Sequence, residues 1–462
     1  MFPCGSPESV GVRSEGIVRF LGEMEEKRLH LHAMMILRHG KCIAKASFAP
    51  WSTDNLHMLF SLSKSFTSTA VGFAVQDGLI SVTDRLMDFF PEYLPAEPCA
   101  NMQKMTLKHL LTMNTGHREE PMRFGSCWEE TFLKTYVEFE PGTHFVYNTF
   151  ATYMLSAVVQ KVTGKKLLAY LHEKLMDPLG MSGDITFEES PTGVATGGYG
   201  LNVRVEDIAK LGQFYLDGGR WEGKQLLNED WIRDAVTPWS DNSAHDGNPS
   251  DWGSGYGYQF WMCKPDRVFR GDGAFGQYCV VMPEQDMVIA INSGVSDMGA
   301  VLDSIWKNIL PCVGEGPLPE ADASLAFRIA AAKTPARWEE DPAFEVAAPE
   351  PEESWLGCYR LQDDNSLRTE EVEIRRGAVL TKHGETEILW PLSFAEWTPA
   401  ENEKAAVRAA KTKDGLLLHI CYVTTPFEAL LELNFTAHGI VIRERRNVGF
   451  GGGSSTIIGY RK

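Results

Sequence analysis

Ser61 and Lys64, three positions apart in the stretch FSLSKSFTS (60–68), carry the side chains that nucleophilic chemistry needs. Side chains at positions i and i+3 of a helix lie on one face, so a helix here would place the lysine amine beside the serine hydroxyl. A buried lysine with a lowered pKa can accept the serine proton and make the oxygen nucleophilic. The apolar flanking residues favour burial. A serine cap followed by a solvated lysine is the alternative interpretation.

Tyr147, in the stretch FVYNTFATYML (145–155), is a second candidate for proton transfer. The ordinary pKa of a tyrosine is about 10, so nearby positive charge is needed before it exchanges a proton near neutral pH. Lys64 can supply that charge. The alternative is a core aromatic residue whose hydroxyl group has a hydrogen-bond partner.

The stretch FRGDGAFGQY (269–278) combines glycines with an alternating pattern that predicts a strand. Glycines allow a substrate to approach a strand closely, and the backbone N–H of Gly273 can join that of Ser61 in binding an oxyanion. Arg270 can bind a substrate carboxylate at two points. A glycine-rich hairpin with an ordinary surface arginine is the alternative.

In this order, the S-x-x-K pair, the tyrosine triplet and the glycine-bearing strand resemble the serine β-lactamase and penicillin-binding-protein family, and most closely its class C-like branch. The resemblance extends over residues 5 to 312 and includes the stretches TLKHLLTMNTGH, GGYGLNVRVEDIAKLGQFYLDGG, GYGYQFW and DGAFGQYCVVMPEQDMVI. It implies that Ser61 is acylated and that Lys64 accepts its proton or holds a neighbouring base. It also implies that Tyr147 shares the acid–base work and that the Gly273 and Ser61 N–H groups bind the oxyanion.

Two positions depart from the family pattern. The triplet reads Tyr147-Asn148-Thr149, with threonine where asparagine is usual; Thr149 can donate one hydrogen bond, and Asn148 can take the third role only if the backbone shifts. Arg270-Gly271-Asp272 stands at the usual K-T-G or H-x-G position, and arginine does not readily give up a proton. Both departures argue against penicillin-like substrates and leave acyl transfer intact.

The pattern of apolar residues along the chain predicts an α+β fold, whose helices and strands must position these residues. Residues 33–48 indicate two strands joined at His39-Gly40, residues 84–235 have mainly helical apolar spacing, and the period changes to two from residue 255. A final helix is predicted over 300–310. We therefore expect an antiparallel sheet flanked by helices, with a helical insertion at about 66–235.

The chain divides by composition into three parts. Residues 1–332 form the predicted hydrolase domain, and residues 333–354, rich in Pro, Ala and Glu, are a predicted linker. Residues 355–462 show short alternating strands with X-Gly turns, which predict a small antiparallel barrel. This barrel resembles the lipocalin-like appendage of some class C-like hydrolases. It either shapes the rim of the active site or only packs on the catalytic domain.

Bulk properties limit the partners and the location. The 462-residue chain has a formal charge of −18 and a pI near 5.2, which argues against nucleic acid or an anionic membrane as partner. Nine scattered cysteines, no signal-peptide pattern and no apolar span favour a reduced, cytoplasmic protein. The histidines show no metal-ligand spacing and no phosphate-binding loop is visible, so neither metal nor cofactor is expected. His57 is interpreted as a packing or hydrogen-bonding residue.

These features together predict a serine hydrolase that cleaves amide or ester bonds through an acyl-enzyme on Ser61. An esterase, a D-aminopeptidase or DD-peptidase and a β-lactamase all fit, with a small molecule or peptide as substrate. The oligomeric state is left open. The alternative is a catalytically weak scaffold of the same fold that binds a peptide or assembles with itself.

Overall fold

The computed structural model describes residues 1–122, 125–245, 250–320, 350–393, 396–401, 403–451 and 453–462. Most of the predicted linker, 333–354, lies outside these ranges, so the domain boundaries stay a prediction. Within the described ranges, no helix is both long and apolar enough to cross a membrane.

A six-stranded antiparallel sheet forms the centre of the first unit, in the order β2-β1-β11-β10-β9-β8. Five short strands, β3 to β7, lie outside it in two small sheets. The bounds are β1 (Leu31–Arg38), β2 (Lys41–Ser47), β3 (His57–Met58), β4 (Thr186–Phe187), β5 (Leu201–Val203), β6 (Arg220–Trp221), β7 (Lys224–Gln225), β8 (Trp261–Met262), β9 (Phe269–Gly273), β10 (Gln277–Met282) and β11 (Met287–Ser293). The predicted hairpin is β1–β2, and its turn residues His39 and Gly40 both have positive φ, at 50° and 68°. The predicted meander is β8–β11.

Eleven α-helices lie in the described part of the first unit, most of them between β2 and β8. Their bounds are α1 (Ser14–Glu26), α2 (Ser63–Gln76), α3 (Leu86–Phe89), α4 (Ala100–Lys104), α5 (Leu107–Leu111), α6 (Trp128–Lys134), α7 (Thr149–Thr163), α8 (Leu167–Leu171), α9 (Val205–Leu216), α10 (Glu229–Ala235) and α11 (Met298–Ser304). The α+β class with a helical insertion is confirmed.

Both faces of the six-stranded sheet are covered, which explains why β1 is buried along its whole length. Met35 and Leu37 point into the core shared with the helical insertion, whereas Met34 and Ile36 point into the core shared with α1 and α11. Successive side chains of a strand alternate between faces, so a strand buried on both sides has a continuous apolar sequence.

Helix α2 runs through the larger of these two cores, and residues 63 to 74 are all buried. Small side chains make this close packing possible. A Cβ atom on Gly72 would lie 2.5 Å from Nε1 of Trp231, so only glycine fits there. The helix therefore forms a rigid base for the residues at its N-terminus.

The second unit is a ten-stranded antiparallel sheet that curls into a nearly closed barrel, in the order β15-β14-β13-β12-β21-β20-β19-β18-β17-β16. Its own apolar core includes Tyr359, Val407 and Ile442. Strand β15 approaches β16 through the bridge between Leu389 and Glu401. The bounds are β12 (Gly357–Leu361), β13 (Glu371–Arg375), β14 (Ala378–His383), β15 (Thr386–Pro391), β16 (Thr398–Pro399), β17 (Ala406–Lys411), β18 (Gly415–Cys421), β19 (Glu428–Thr436), β20 (Gly439–Arg446) and β21 (Ser454–Arg461). The predicted all-β second unit is confirmed.

Candidate active site

The structure brings Ser61 and Lys64 together at the base of a cleft. Nζ of Lys64 lies 3.0 Å from Oγ of Ser61. The same amine lies 3.2 Å from Oγ1 of Thr149 and 2.8 Å from the carbonyl oxygen of Gly198. The lysine side chain is 1% exposed. The oxygens of Thr149 and Gly198 hold the amine beside Ser61, so the amine can exchange a proton with the serine hydroxyl.

The backbone before α2 presents the serine to the cleft. Residues Phe60–Leu62 form a 3-10 turn and α2 begins at Ser63, so Ser61 lies two residues before the helix and not in its first turn as predicted. Phe60 has a φ of 47°, in the left-handed region that non-glycine residues seldom adopt. Strain of this kind persists where surrounding structure imposes it, often at functional sites.

Tyr147 lies two residues before α7 and faces the same pair. Its ring centroid is 4.9 Å from Nζ of Lys64, and its hydroxyl group is hydrogen-bonded to Ser61. Burial raises the pKa of Tyr147 well above its ordinary value, and the bond to Ser61 opposes this rise only in part. The phenol therefore keeps its proton near neutral pH and can relay one between neighbouring groups.

Asn148 and Thr149 have separate positions. The Asn148 side chain is buried, accepts a hydrogen bond from the Ala151 N–H at 2.9 Å as the N-cap of α7, and donates one to Thr115 at 3.4 Å. Thr149 lines the cleft and accepts from Lys64. The local backbone thus places Thr149, and not Asn148, at the third position of the tyrosine triplet.

Gly273 ends β9 beside the turn that carries the serine. A Cβ atom at this position would lie 2.0 Å from the Leu59 carbonyl oxygen and 3.1 Å from the Leu62 nitrogen. Only glycine allows this approach, and the next residue, Ala274, lines the cleft. The role of the Gly273 N–H in binding an oxyanion stays a prediction.

Arg270 corrects one expectation. Its side chain is 0% exposed, and its Nε donates to Oδ2 of Asp272 at 2.8 Å. Its Nη1 donates to the Asp251 carbonyl oxygen at 2.9 Å. Burial tends to lower the pKa of Arg270, but the Asp272 carboxylate outweighs this and the pKa lies above its ordinary value. A substrate carboxylate cannot reach this guanidinium, because it lies fully buried beside the rings of Trp252 and Trp261; Asp272, on the same face of β9, lines the cleft instead.

The cleft has a volume of about 770 Å³ and opens above Ser61. The ionisable side chains with a carboxylate among the described residues that line it are Glu120, Glu188 and Asp272, and the imidazole of His245 lines it as well. The larger apolar and aromatic part of the wall consists of Met58, Phe60, Tyr147, Tyr199, Trp252, Trp261, Ala274, Met298 and Phe450. The site is therefore acidic and aromatic around a deeply placed amine.

The barrel also contributes to this wall through Phe450, which the sequence analysis did not identify. Its ring lies 5.7 Å from that of Phe60 and 4.9 Å from that of Phe275, measured between centroids. Phe427 joins the same group, 6.0 Å from Phe60. Of the two roles left open for the barrel, the structure supports the one at the rim of the cleft. The only sequence signal was an aromatic residue inside the glycine-rich stretch GFGGGSS.

Comparison with known proteins gives related sequences and folds. A 6-aminohexanoate-dimer hydrolase from Paenarthrobacter ureafaciens is 24% identical over 306 residues, which cover 62% of this chain and 78% of that protein. A solved structure of an octameric penicillin-binding protein homologue from Pyrococcus abyssi covers 96% of this chain and 99% of its own, with a TM-score of 0.52 and 17% identity. A family VIII carboxylesterase covers 67% of this chain and 99% of its own, with a TM-score of 0.54 and 17% identity.

The Pyrococcus structure resembles both units of this protein, whereas the carboxylesterase matches about two thirds of the chain. The family model named Beta-lactamase matches residues 20–304, which is more than half of the chain and spans Ser61, Lys64 and Tyr147. The chain therefore belongs to the Beta-lactamase family and is a serine hydrolase of that family.

Proposed function

We propose that this protein hydrolyses amide or ester bonds through an acyl-enzyme on Ser61 and that it belongs to the class C-like branch of its family. The observation that carries the proposal is the 3.0 Å contact between Lys64 Nζ and Ser61 Oγ at the base of an open cleft. Neutral lysine is a proton acceptor, and burial favours the neutral form of an amine.

Acylation begins when Ser61 Oγ attacks the substrate carbonyl carbon and its proton passes to Nζ of Lys64. The carbonyl oxygen becomes an oxyanion, which the backbone N–H groups of Ser61 and Gly273 stabilise. The tetrahedral intermediate then expels the alcohol or amine. Tyr147, which keeps its phenolic proton, donates that proton to the leaving group and takes one back from Lys64.

Deacylation repeats these steps with water as the nucleophile. Tyr147 and Lys64 remove a proton from the water as it attacks the ester carbonyl, and Ser61 Oγ is reprotonated as it leaves. Thr149 keeps the lysine amine directed at the serine in both half-reactions through its 3.2 Å contact.

The cleft wall supports a substrate class. Its carboxylates Glu120 and Glu188 repel a substrate carboxylate and attract an ammonium group, whereas the charge of Asp272 is paired with that of Arg270. Aromatic faces such as Trp252 and Trp261 also attract cations and apolar groups. We propose that preferred substrates are uncharged or cationic near the scissile bond. Penicillin-like molecules, which carry a carboxylate, are disfavoured.

Two of the similar proteins have names that agree with this preference. One is a hydrolase of the 6-aminohexanoate dimer, whose acyl half ends in an amine and whose other half ends in a carboxylate, and another is a carboxylesterase. A linear amide or ester of an ω-amino acid is therefore the substrate type that we propose to test first.

The test uses three p-nitrophenyl esters of similar length that differ in end-group charge: 6-aminohexanoyl, hexanoyl and the monoester of adipic acid. We expect kcat/KM to be highest for the cationic ester and at least ~10-fold lower for the anionic one, which corresponds to about 1.4 kcal/mol. Equal rates for all three esters, or the fastest rate for the anionic ester, would refute the proposed substrate class.

The acyl-enzyme itself is tested by intact-mass measurement after incubation with a fluorophosphonate. We expect one adduct per chain, mapped to Ser61, and neither adduct nor turnover in Ser61→Ala. Ser9→Ala, at an exposed serine remote from the cleft, is the matched control and should behave as the wild type. An unlabelled, inactive wild type would favour the binding scaffold instead.

A cytoplasmic location also stays a prediction. All nine cysteines are free thiols in the structure, which supports a reducing compartment. We propose a small molecule or a peptide as substrate and make no proposal about the oligomeric state.

A further inference from the structure

A buried polar cluster lies where β1 of the first unit meets β19 of the barrel. His30 Nδ1 is 2.6 Å from Oε1 of Glu428, which is 398 positions away in the chain. His30, His32 and Glu428 each offer a ligand atom, and these three atoms lie within 4.8 Å of one another. The three side chains are 2%, 0% and 0% exposed. Two imidazoles and a carboxylate thus converge on one point without access to bulk water.

His32 presents a nitrogen atom that the protein leaves unsatisfied. Its Nε2 is buried and has no hydrogen-bond partner, and its ring is fixed by stacking on Trp51 at a centroid distance of 3.7 Å. A buried polar atom without a partner is destabilising, so each one in a folded protein needs an explanation such as a bound ion.

The hydrogen bonds beyond His32 fix which of its nitrogens carries a proton. Nδ1 of His57 lies 3.1 Å from the Met58 carbonyl oxygen and must donate to it. Nε2 of His57 is then the acceptor in the 2.9 Å contact with Nδ1 of His32, because burial opposes a charged imidazolium. His32 Nδ1 therefore carries the proton, and its Nε2 has a lone pair facing the cluster.

Other side chains hold Glu428 in place. Its Oε2 is 2.8 Å from Nε2 of His419, and its Oε1 accepts from Nδ2 of Asn447 at 3.3 Å. Hydrogen-bonded carboxylates and histidines that donate their second N–H are the usual surroundings of protein metal ligands. The contacts around His32 and Glu428 have both features.

We propose that His30, His32 and Glu428 bind a divalent transition-metal cation of the zinc class. Two imidazoles and one carboxylate form a common zinc donor set, with bond lengths of about 2.0–2.2 Å. Binding requires Nδ1 of His30 to present its lone pair, so its proton moves to Nε2. The cation would fill the unpaired valence at His32 and link the first unit to the barrel.

A second set of donors competes for the same carboxylate. His419, Cys421 and Glu428 also offer ligand atoms within 4.8 Å of one another. We assign the cation to the first set, because the buried, unpartnered Nε2 of His32 belongs to that set. His419 acts there as a positioning residue that orients Glu428.

Two cavities border the cluster. One of about 630 Å³ is lined in part by His30 and Gly294, and one of about 270 Å³ is lined in part by Glu428 and Thr425.

The first experiment measures metal directly. The full chain is stripped with a chelator, dialysed and titrated with Zn²⁺ or Co²⁺ alone, and bound metal is counted by elemental analysis. We expect one equivalent per chain, a higher thermal unfolding temperature with Zn²⁺, and a tetrahedral Co²⁺ absorption spectrum without a thiolate charge-transfer band. A wild type that binds no stoichiometric metal would overturn the proposal.

Variants then locate the metal. His32→Gln and Glu428→Gln should each weaken Zn²⁺ binding by more than 100-fold, and His57→Gln by about 10- to 100-fold because it only orients His32. The matched control is His117→Gln, since His117 is also buried with an unpartnered Nε2 but lies outside both donor sets. Unchanged affinity in His32→Gln, or equal weakening in His117→Gln, would contradict the assignment.

Cys421→Ser separates the two donor sets. We expect this variant to bind metal as tightly as the wild type and with the same Co²⁺ spectrum. A thiolate band in the wild type that disappears in Cys421→Ser would place the cation in the competing set and would refute the proposed ligands.

Discussion

Two buried basic side chains near the cleft, Lys64 and Arg270, have different surroundings. The amine of Lys64 donates to the neutral oxygens of Ser61, Thr149 and Gly198. The guanidinium of Arg270 contacts the carboxylate of Asp272 directly at 2.8 Å. Both side chains are at most 1% exposed, so the difference lies in their partners and not in their burial.

These different partners make Lys64 suited to proton transfer and Arg270 suited to a structural role. Lysine can lose its proton when it is desolvated, whereas arginine keeps its charge under all ordinary conditions. A buried arginine therefore needs a counter-ion, and Asp272 provides one. Lys64 instead has acceptors that hold it in place in either protonation state, which suits a group that must exchange a proton at each step.

The largest expected effect is at Lys64. Lys64→Ala should lower kcat/KM for an activated ester by about 10²- to 10⁴-fold, the usual loss when a positioned proton acceptor is removed. Lys64→Arg keeps the charge and should be nearly as inactive, because arginine cannot accept the serine proton. Steady-state kinetics measure kcat/KM for both variants, and their thermal unfolding temperatures show whether they are folded. A near-native rate in Lys64→Arg would mean that charge alone suffices.

The second effect is on stability, at Asp272 in the cleft wall. Asp272→Ala leaves the Arg270 guanidinium buried without its carboxylate and should lower the free energy of unfolding by about 3–5 kcal/mol. Urea denaturation measures this loss.

The matched variant for this wall removes both charges, as Arg270→Met together with Asp272→Leu. It should recover most of the lost stability, because replacing a whole buried ion pair by apolar groups is often near neutral. If Asp272→Ala unfolds like the wild type, Arg270 is not a structural cation and the contrast with Lys64 fails.

A smaller effect is expected at Thr149. Thr149→Val removes the hydroxyl that accepts from Lys64 while keeping the shape, and should lower kcat by about 10-fold, in line with ~1.5 kcal/mol for a hydrogen bond. Thr149→Asn restores the usual family residue and should retain most of the activity. Equal activity in both variants would show that the lysine is oriented by its other partners alone.

The smallest effect is expected at the barrel. Phe450→Ala should raise KM for an aromatic ester by about 3- to 10-fold with kcat little changed, because it removes one aromatic contact of about 1 kcal/mol. Tyr460→Ala, at another exposed aromatic residue of the barrel that does not line the cleft, is the control. Parallel changes in the two variants would indicate a general loss of barrel stability.

Local spacing explains why part of this site was readable from the sequence. Ser61 lies in the 3-10 turn that leads into α2 and Lys64 in the first turn of that helix, so a spacing of three residues brings their side chains together. Arg270 was interpreted wrongly as a substrate-binding residue for the opposite reason. The strand pattern does not reveal that Arg270, on the same face as Asp272, is covered by Trp252 and Trp261, because those contacts depend on packing between separate segments.

Contacts between the two units were beyond sequence reasoning. Phe450 stands in a glycine-rich stretch whose composition predicts only a loop. His30 and Glu428 are separated by almost the whole chain, so no motif spacing links them. The general architecture could be predicted because alternation and turns are local. How the barrel is placed on the sheet could not.

One hydrogen bond between backbone groups of the two units matters for engineering this protein. The N–H of Met58, three residues before the nucleophile, donates to the Thr424 carbonyl oxygen of the barrel at 2.8 Å. A first unit expressed without the barrel would lose this hydrogen bond next to the turn that carries Ser61. It would also expose Trp51, Phe60 and two histidines to solvent. Any truncation, graft or recombination of this protein should therefore keep the two units together.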